Sequence, residues 1–129
     1  MGTAYKGSAG HYHSIGQNIL PTSSKYKYNP KSGYFGDNSK HGNNRTRNIV
    51  SSDNLSTGKD FYNKIAHGGK EKTVNSNTKI TTMADGTVIT MREKSNSDGT
   101  PVVDINIKPS SHTGGVKSQK IHFIQEDNK

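Results

Sequence analysis

From residue 78 onward the side chains alternate between apolar and polar, and that period of two restricts this part of the chain to half-buried β-strands. Thr78–Ala84, the dipeptide Asp85-Gly86 and Thr87–Glu93 read as a hairpin, because Asp-Gly is the strongest short-range turn signal. A second turn at Ser97-Asp98-Gly99 leads into a strand over Pro101–Ile107. Pro109–Gly115 reads as a loop, and Gln119–Ile124 as the last strand. Ile89 and Met91, then Val103, Ile105 and Ile107, then Ile121 and Phe123 point to one side of these strands. If the strands are neighbours, Arg92, Asp104, Asn106, Lys120 and His122 share the other. One face then packs on a helix, and the other stays polar and cationic with one imidazole on it.

The helix is expected just before the strands. Asp53 or Ser56 can cap a short helix running through Phe61–Ala66, closed by Gly68-Gly69. Phe61 and Ile65 stand four apart and share a face, with Leu55 or Tyr62 beside them. The expected fold class is therefore α+β, a short helical part packed on a roughly four-stranded antiparallel sheet.

Composition limits how much of the chain can join that unit. Of 129 residues 26% are hydrophobic, well below the roughly 45–50% of ordinary globular chains. The length suits one domain. Residues 1–48 hold seven Lys or Arg against one acid, few aliphatics, and much Gly, Asn, Ser and Tyr. They read as a flexible basic connector, or as a wrap over the folded part, and residues 49–129 as the functional domain. There is no internal repeat. No apolar run approaches the ~18 residues of a membrane span, and Met1 opens no signal peptide. The absence of Cys removes disulfides, thiolate catalysis and Cys-type zinc sites. The net charge of +8 points to an acidic partner such as nucleic acid or an acidic protein.

A cationic face bearing a His suits RNA cleavage in which the ribose 2′-hydroxyl is the nucleophile. That reaction needs a base for the hydroxyl proton, an acid for the leaving 5′-oxygen, and cations for the phosphorane charge. His serves either proton-transfer role, and Arg grips phosphate with a bidentate fork. His122 and Arg92 are the first candidates. Lys120 projects from the same face and can clamp phosphate, and Asp104 could orient His122 or act as a simple counter-charge. His67-Gly68-Gly69-Lys70 could bring His67 or Lys70 over the sheet, or could merely close the helix. Lys94–Pro101 offers hydroxyls and backbone N–H groups as a phosphate cradle, or is an ordinary turn.

Other site types find less support. His11-Tyr12-His13 lacks evident partners for a metal, and His41 and His112 lie in polar, Gly-rich surroundings. The phosphate-loop, dinucleotide, zinc-protease and serine-hydrolase fingerprints are not in the sequence.

The string from Gly86-Thr87-Val88-Ile89-Thr90-Met91-Arg92 through Thr100-Pro101-Val102-Val103-Asp104 to Val116-Lys117-Ser118-Gln119-Lys120-Ile121-His122-Phe123 resembles the C-terminal ribonuclease tips of bacterial polymorphic toxins. These are the tips of LXG-type and contact-dependent-inhibition effectors, many of them similar to the barnase, EndoU, colicin and RelE group. The likeness covers roughly residues 55–124, and residues 1–48 resemble the variable connector before such tips. It implies a metal-independent endoribonuclease without cofactor, secreted or delivered from a cell surface, acting on tRNA or rRNA in the cytoplasm of a target bacterium. It further implies an acidic immunity protein as partner, and no homo-oligomer is expected.

The resemblance matches Arg92 to an Arg on a central strand, His122 to a His on the last strand, and Ser95, Ser97 or Thr100 to hydroxyls before the Pro. The expected catalytic set is His122, Arg92, His67, Lys120, Ser97 and Thr100. Lys70, Lys94, Ser95, Asn106 and Lys117 are the expected substrate contacts. A metal-dependent DNase toxin and a non-catalytic nucleic-acid-binding module are the alternatives.

Overall fold

The computed structural model describes residues 15–18, 25–39, 45–94, 99–107 and 116–126. A 3-10 turn at Ile15–Asn18 precedes β1 (Asp37–Asn38), β2 (Thr46–Ser51), the helix α1 (Asn54–Ile65), and the strands β3 (Lys70–Asn75), β4 (Thr78–Thr82), β5 (Val88–Arg92), β6 (Val102–Asn106) and β7 (Gln119–Gln125). All seven strands form one sheet in the order β1-β2-β7-β6-β5-β4-β3. Every pair is antiparallel except β2 with β7, which is parallel. This corrects the expected four-stranded antiparallel sheet with a helical part. Among the described residues there is one α-helix, and the sheet is larger by three strands and mixed.

The sheet grows from a single crossover. Its centre-to-centre width from β2 to β3 is five strand spacings, about 24 Å, and the 12 residues of α1 cover about 18 Å of that. The chain leaves β2, rides the helix across one face to the far edge, then returns strand by strand until β7 lies alongside β2. Asp53 caps the helix, its carboxylate accepting from Ser56 N at 3.2 Å. Asn18 closes the other end by donating from Nδ2 to the carbonyls of Ile65 and His67, both at 2.8 Å. At the β4–β5 turn Gly86 has φ +89°, and Asp85 accepts from Thr87 N at 2.8 Å, the chemistry that an Asp-Gly turn requires.

The core lies between α1 and the sheet. Phe61, Tyr62 and Ile65 face Ile49, Ile89, Met91, Val103, Ile105, Ile121 and Phe123, all buried. Gly58 is the point of closest approach, where a Cβ would stand 3.3 Å from the Phe123 ring. Phe61 is the hub of an aromatic cluster, with Tyr26, Phe35 and Phe123 at centroid distances of 5.1, 5.0 and 5.7 Å.

Two of those rings come from residues 25–39, within the stretch read as connector, and the boundary near residue 48 falls inside β2. This segment is tied down by side chains that hydrogen-bond its backbone. Phe35 N donates to Gln119 Oε1 at 2.8 Å, and Arg47 donates to the carbonyls of Phe35 and Gly36, both at 2.9 Å. The Tyr26 hydroxyl hydrogen-bonds Asp60, which also receives Lys25 and Lys64. Burial pushes the Asp60 carboxyl upward, but those three donors outweigh it and hold its pKa at about 2. Burial and the neighbouring carboxylate raise the Tyr26 phenol, and burial pushes Tyr62 up to about 12.

Candidate functional site: a cationic groove on the open sheet face

The face of the sheet away from α1 carries two cross-strand rows set by register. One runs Asn48, His122, Val102, Arg92 and Thr78 across β2, β7, β6, β5 and β4. The next, two residues along each strand, runs Thr46, Lys120, Asp104, Thr90 and Ile80. A shallow groove of about 440 Å³ opens over the second row, lined by Arg45, Thr46, Thr90, Arg92, Asp104, Asn106, Ser118 and Lys120, with Ile105 and Gln119 at its floor. Three cations meet one carboxylate there, so the groove favours an anion.

The polar partners are specific. Arg92 Nη1 donates to Asp104 Oδ2 at 2.9 Å, and both side chains are partly exposed. His122 is 7% exposed, and its Nδ1 lies 3.0 Å from Thr100 Oγ1. A hydroxyl can donate to Nδ1 or accept from it, so this pairing accommodates either tautomer. Asp104, which could have oriented His122, gives an oxygen to Arg92 instead and stands opposite Lys120 in the ladder. Val102, fully buried, separates Arg92 from His122 in the first row.

The structure brings Arg92, Lys120, Asn106, Thr100 and His122 to this one face. His67 is not among them. It is exposed just beyond the Ala66 cap of α1, on the helix-covered side of the sheet. Lys70 opens the edge strand β3, opposite Thr82, three strands from Asn106. Lys94 and Lys117 are exposed at strand ends. Ser95, Ser97, His11, His13, His41 and His112 lie outside the described residues.

Sequence reasoning missed Arg45, Thr46, Thr90 and Ser118. Thr90 carried the right signal, being on the same face of the same strand as Arg92. Arg45 and Thr46 did not, since only the parallel β2–β7 pairing brings them to the groove. Among the described residues no three His, Asp or Glu side chains gather as a metal site, and no helix is long and apolar enough to cross a membrane. Comparison with protein-family models, curated proteins and solved structures finds no match to this chain.

Proposed function

We propose that the open face cleaves RNA without a metal, and that the chain is the toxin domain of an antibacterial effector. The observation that carries the reading is a groove with three cations whose neighbouring row holds an imidazole hydrogen-bonded to a hydroxyl. The ribose 2′-oxygen attacks the adjacent phosphorus, forming the P–O2′ bond as the P–O5′ bond breaks. One group takes the 2′-hydroxyl proton and another protonates the departing 5′-oxygen, giving a 2′,3′-cyclic phosphate and a 5′-hydroxyl. His122, hydrogen-bonded to Thr100 through Nδ1, performs one transfer. Lys120, two residues away on the same face, is the nearest candidate for the other. Arg92, preset by Asp104, stabilises the charge that builds on the phosphoryl oxygens.

The sequence resemblance to toxin tips supports the wider reading: delivery into a competing bacterium, tRNA or rRNA as target, and an acidic immunity protein covering the groove. The net charge of +8 suits both partners.

The test is incubation of the protein with total bacterial RNA in EDTA, beside His122→Gln and Arg92→Gln. Discrete fragments with cyclic-phosphate ends, lost in both variants, are expected. Intact RNA in EDTA overturns the mechanism. DNA cleavage restored by magnesium would make the chain a metal-dependent nuclease, and RNA binding without cleavage would make it a binding module.

A further inference from the structure

Thr46, Ser118 and Lys120 reach the groove from the parallel β2–β7 pair or its entrance, the type of pairing that is slightly less stable per residue. Both strands of that seam are gripped from behind by the same short piece of chain. Residues 29–36 fold back on themselves through the Asn29–Tyr34 bridge, and the Phe35 ring seats them against Phe61. From β2, Arg47 donates to the carbonyls of Phe35 and Gly36 and stands over the Tyr34 ring. From β7, Gln119 is 3% exposed and spends its whole amide on the seam. Its Oε1 accepts from Phe35 N at 2.8 Å, and its Nε2 donates to the carbonyls of Gly33 at 3.0 Å and Lys117 at 2.8 Å. Lys117 N also donates to the Gly33 carbonyl, at 3.0 Å.

The grip falls where strand pairing stops. The β6–β7 ladder ends at Ile105–Gln119 and the β2–β7 ladder at Thr46–Lys120, so Lys117 and Ser118 enter the sheet ahead of both. Ser118 is fixed by accepting from Ile107 N at 2.8 Å, and Lys117 by residues 29–36. We infer that residues 29–36 are a clamp over the β2–β7 seam, with Gln119 as the positioning residue that couples the clamp to Ser118 and Lys120 in the groove. While the clamp is seated, these side chains stand beside Thr46; when it lifts, the start of β7 is released as one local unit. Asn29, Pro30 and Lys31 are exposed on its outer side, so the clamp can be gripped without entry to the groove. The coupling holds for any ligand of the groove, and only its effect on turnover rests on the RNA-cleaving reading.

Amide hydrogen exchange, followed by NMR on the full chain, tests this in Gln119→Met and Tyr26→Phe. Gln119→Met keeps the side-chain length and removes both donor and acceptor. The amides of Phe35, Lys117 and Lys120 are expected to exchange about tenfold or more faster, and those of Ile89 and Ile105 in the central strands to keep their rates. Lys120 decides, because its own acceptor, the Arg45 carbonyl, is untouched by the substitution. Tyr26→Phe removes only the hydroxyl bond to Asp60, while the Tyr26 carbonyl still accepts from Gly36 N. It is expected to speed the same three amides by about threefold, although Tyr26 lies outside the clamp. If Lys120 keeps its rate in both variants, the clamp does not hold the seam. If Ile89 and Ile105 speed up by the same factor as Lys120, Gln119 merely stabilises the whole fold. Either result overturns the inference. Cleavage of RNA in EDTA is read on the same samples. Intact RNA with the unsubstituted chain overturns the nuclease and leaves exchange to decide the clamp, whereas full cleavage with Lys120 exchange unmoved overturns the clamp and keeps the nuclease.

Discussion

The two faces of the sheet divide the work of the molecule. On the covered face the odd-numbered residues of β5, β6 and β7 meet α1 in an apolar layer in which Phe61 touches three other rings. On the open face the even-numbered residues of the same strands hold Arg92, Asp104, Lys120 and His122. Because side chains alternate, neither set can change faces without a register slip that would move the other. The same strands thus fix the site geometry through packing on the opposite side. A chain with only 26% hydrophobic residues can hold such a site because most of the buried apolar residues of β5, β6 and β7 lie on the face that α1 covers.

Substitutions can break that division in order of effect. His122→Gln should lower the rate of RNA cleavage by about 10²–10⁴-fold, the usual worth of a proton-transfer group, as measured on a defined oligonucleotide in EDTA. Phe61→Ala should cost about 3–5 kcal/mol of stability, read by urea unfolding. Gly36→Ala should cost about 1–3 kcal/mol, since Gly36 has φ +65° and a Cβ there would lie 2.5 Å from the Asn48 carbonyl oxygen. A neutral result would show that the segment before β2 can leave the sheet at little cost.

The smallest effect sharpens the same boundary. Asp60→Asn should cost about 1 kcal/mol, held low by solvent screening of a carboxylate that is partly exposed. Since the folded pKa of about 2 lies below the ordinary value of 3.8, this contribution is complete above pH ~4. It is lost as pH falls from there through about 2. Acid titration followed by Tyr fluorescence should show that step in the unsubstituted chain and a reduced one in Asp60→Asn.

The legible part of the fold is the part with strong local signals. β4, β5, β6 and β7 announce themselves by alternation and by Asp85-Gly86, and α1 by the Asp53 cap and the Phe61–Ile65 pair. β3 carries no such signal because all six of its residues are exposed at the sheet edge. Its Lys70, Lys72 and a register break near Val74 suit an edge that must resist further pairing. β2 buries only Ile49, and its place depends on pairing in parallel with a strand some seventy residues away. Tyr26 and Phe35 sit among Lys, Asn, Gly and other Tyr residues without a periodic apolar pattern, and only the tertiary structure shows them docked on Phe61. The candidate site follows the same rule. Arg92, Asp104, Asn106, Lys120 and His122 share a face by alternation alone, whereas Arg45 and Thr46 arrive through the parallel pair, and His67 ends on the wrong side of the sheet.

The most direct test sets one substitution on each face side by side, with unfolding in urea and RNA cleavage in EDTA measured for both. Arg92→Gln should stay within about 1 kcal/mol of the unsubstituted protein, as expected for a partly exposed ion pair, yet cleave about a hundredfold or more slowly. Phe61→Leu should lose about 1–2 kcal/mol and keep its cleavage rate under conditions where it remains folded. If Arg92→Gln cleaves at the full rate, or the unsubstituted chain leaves RNA intact in EDTA, the open face is not the catalytic face of a metal-independent nuclease.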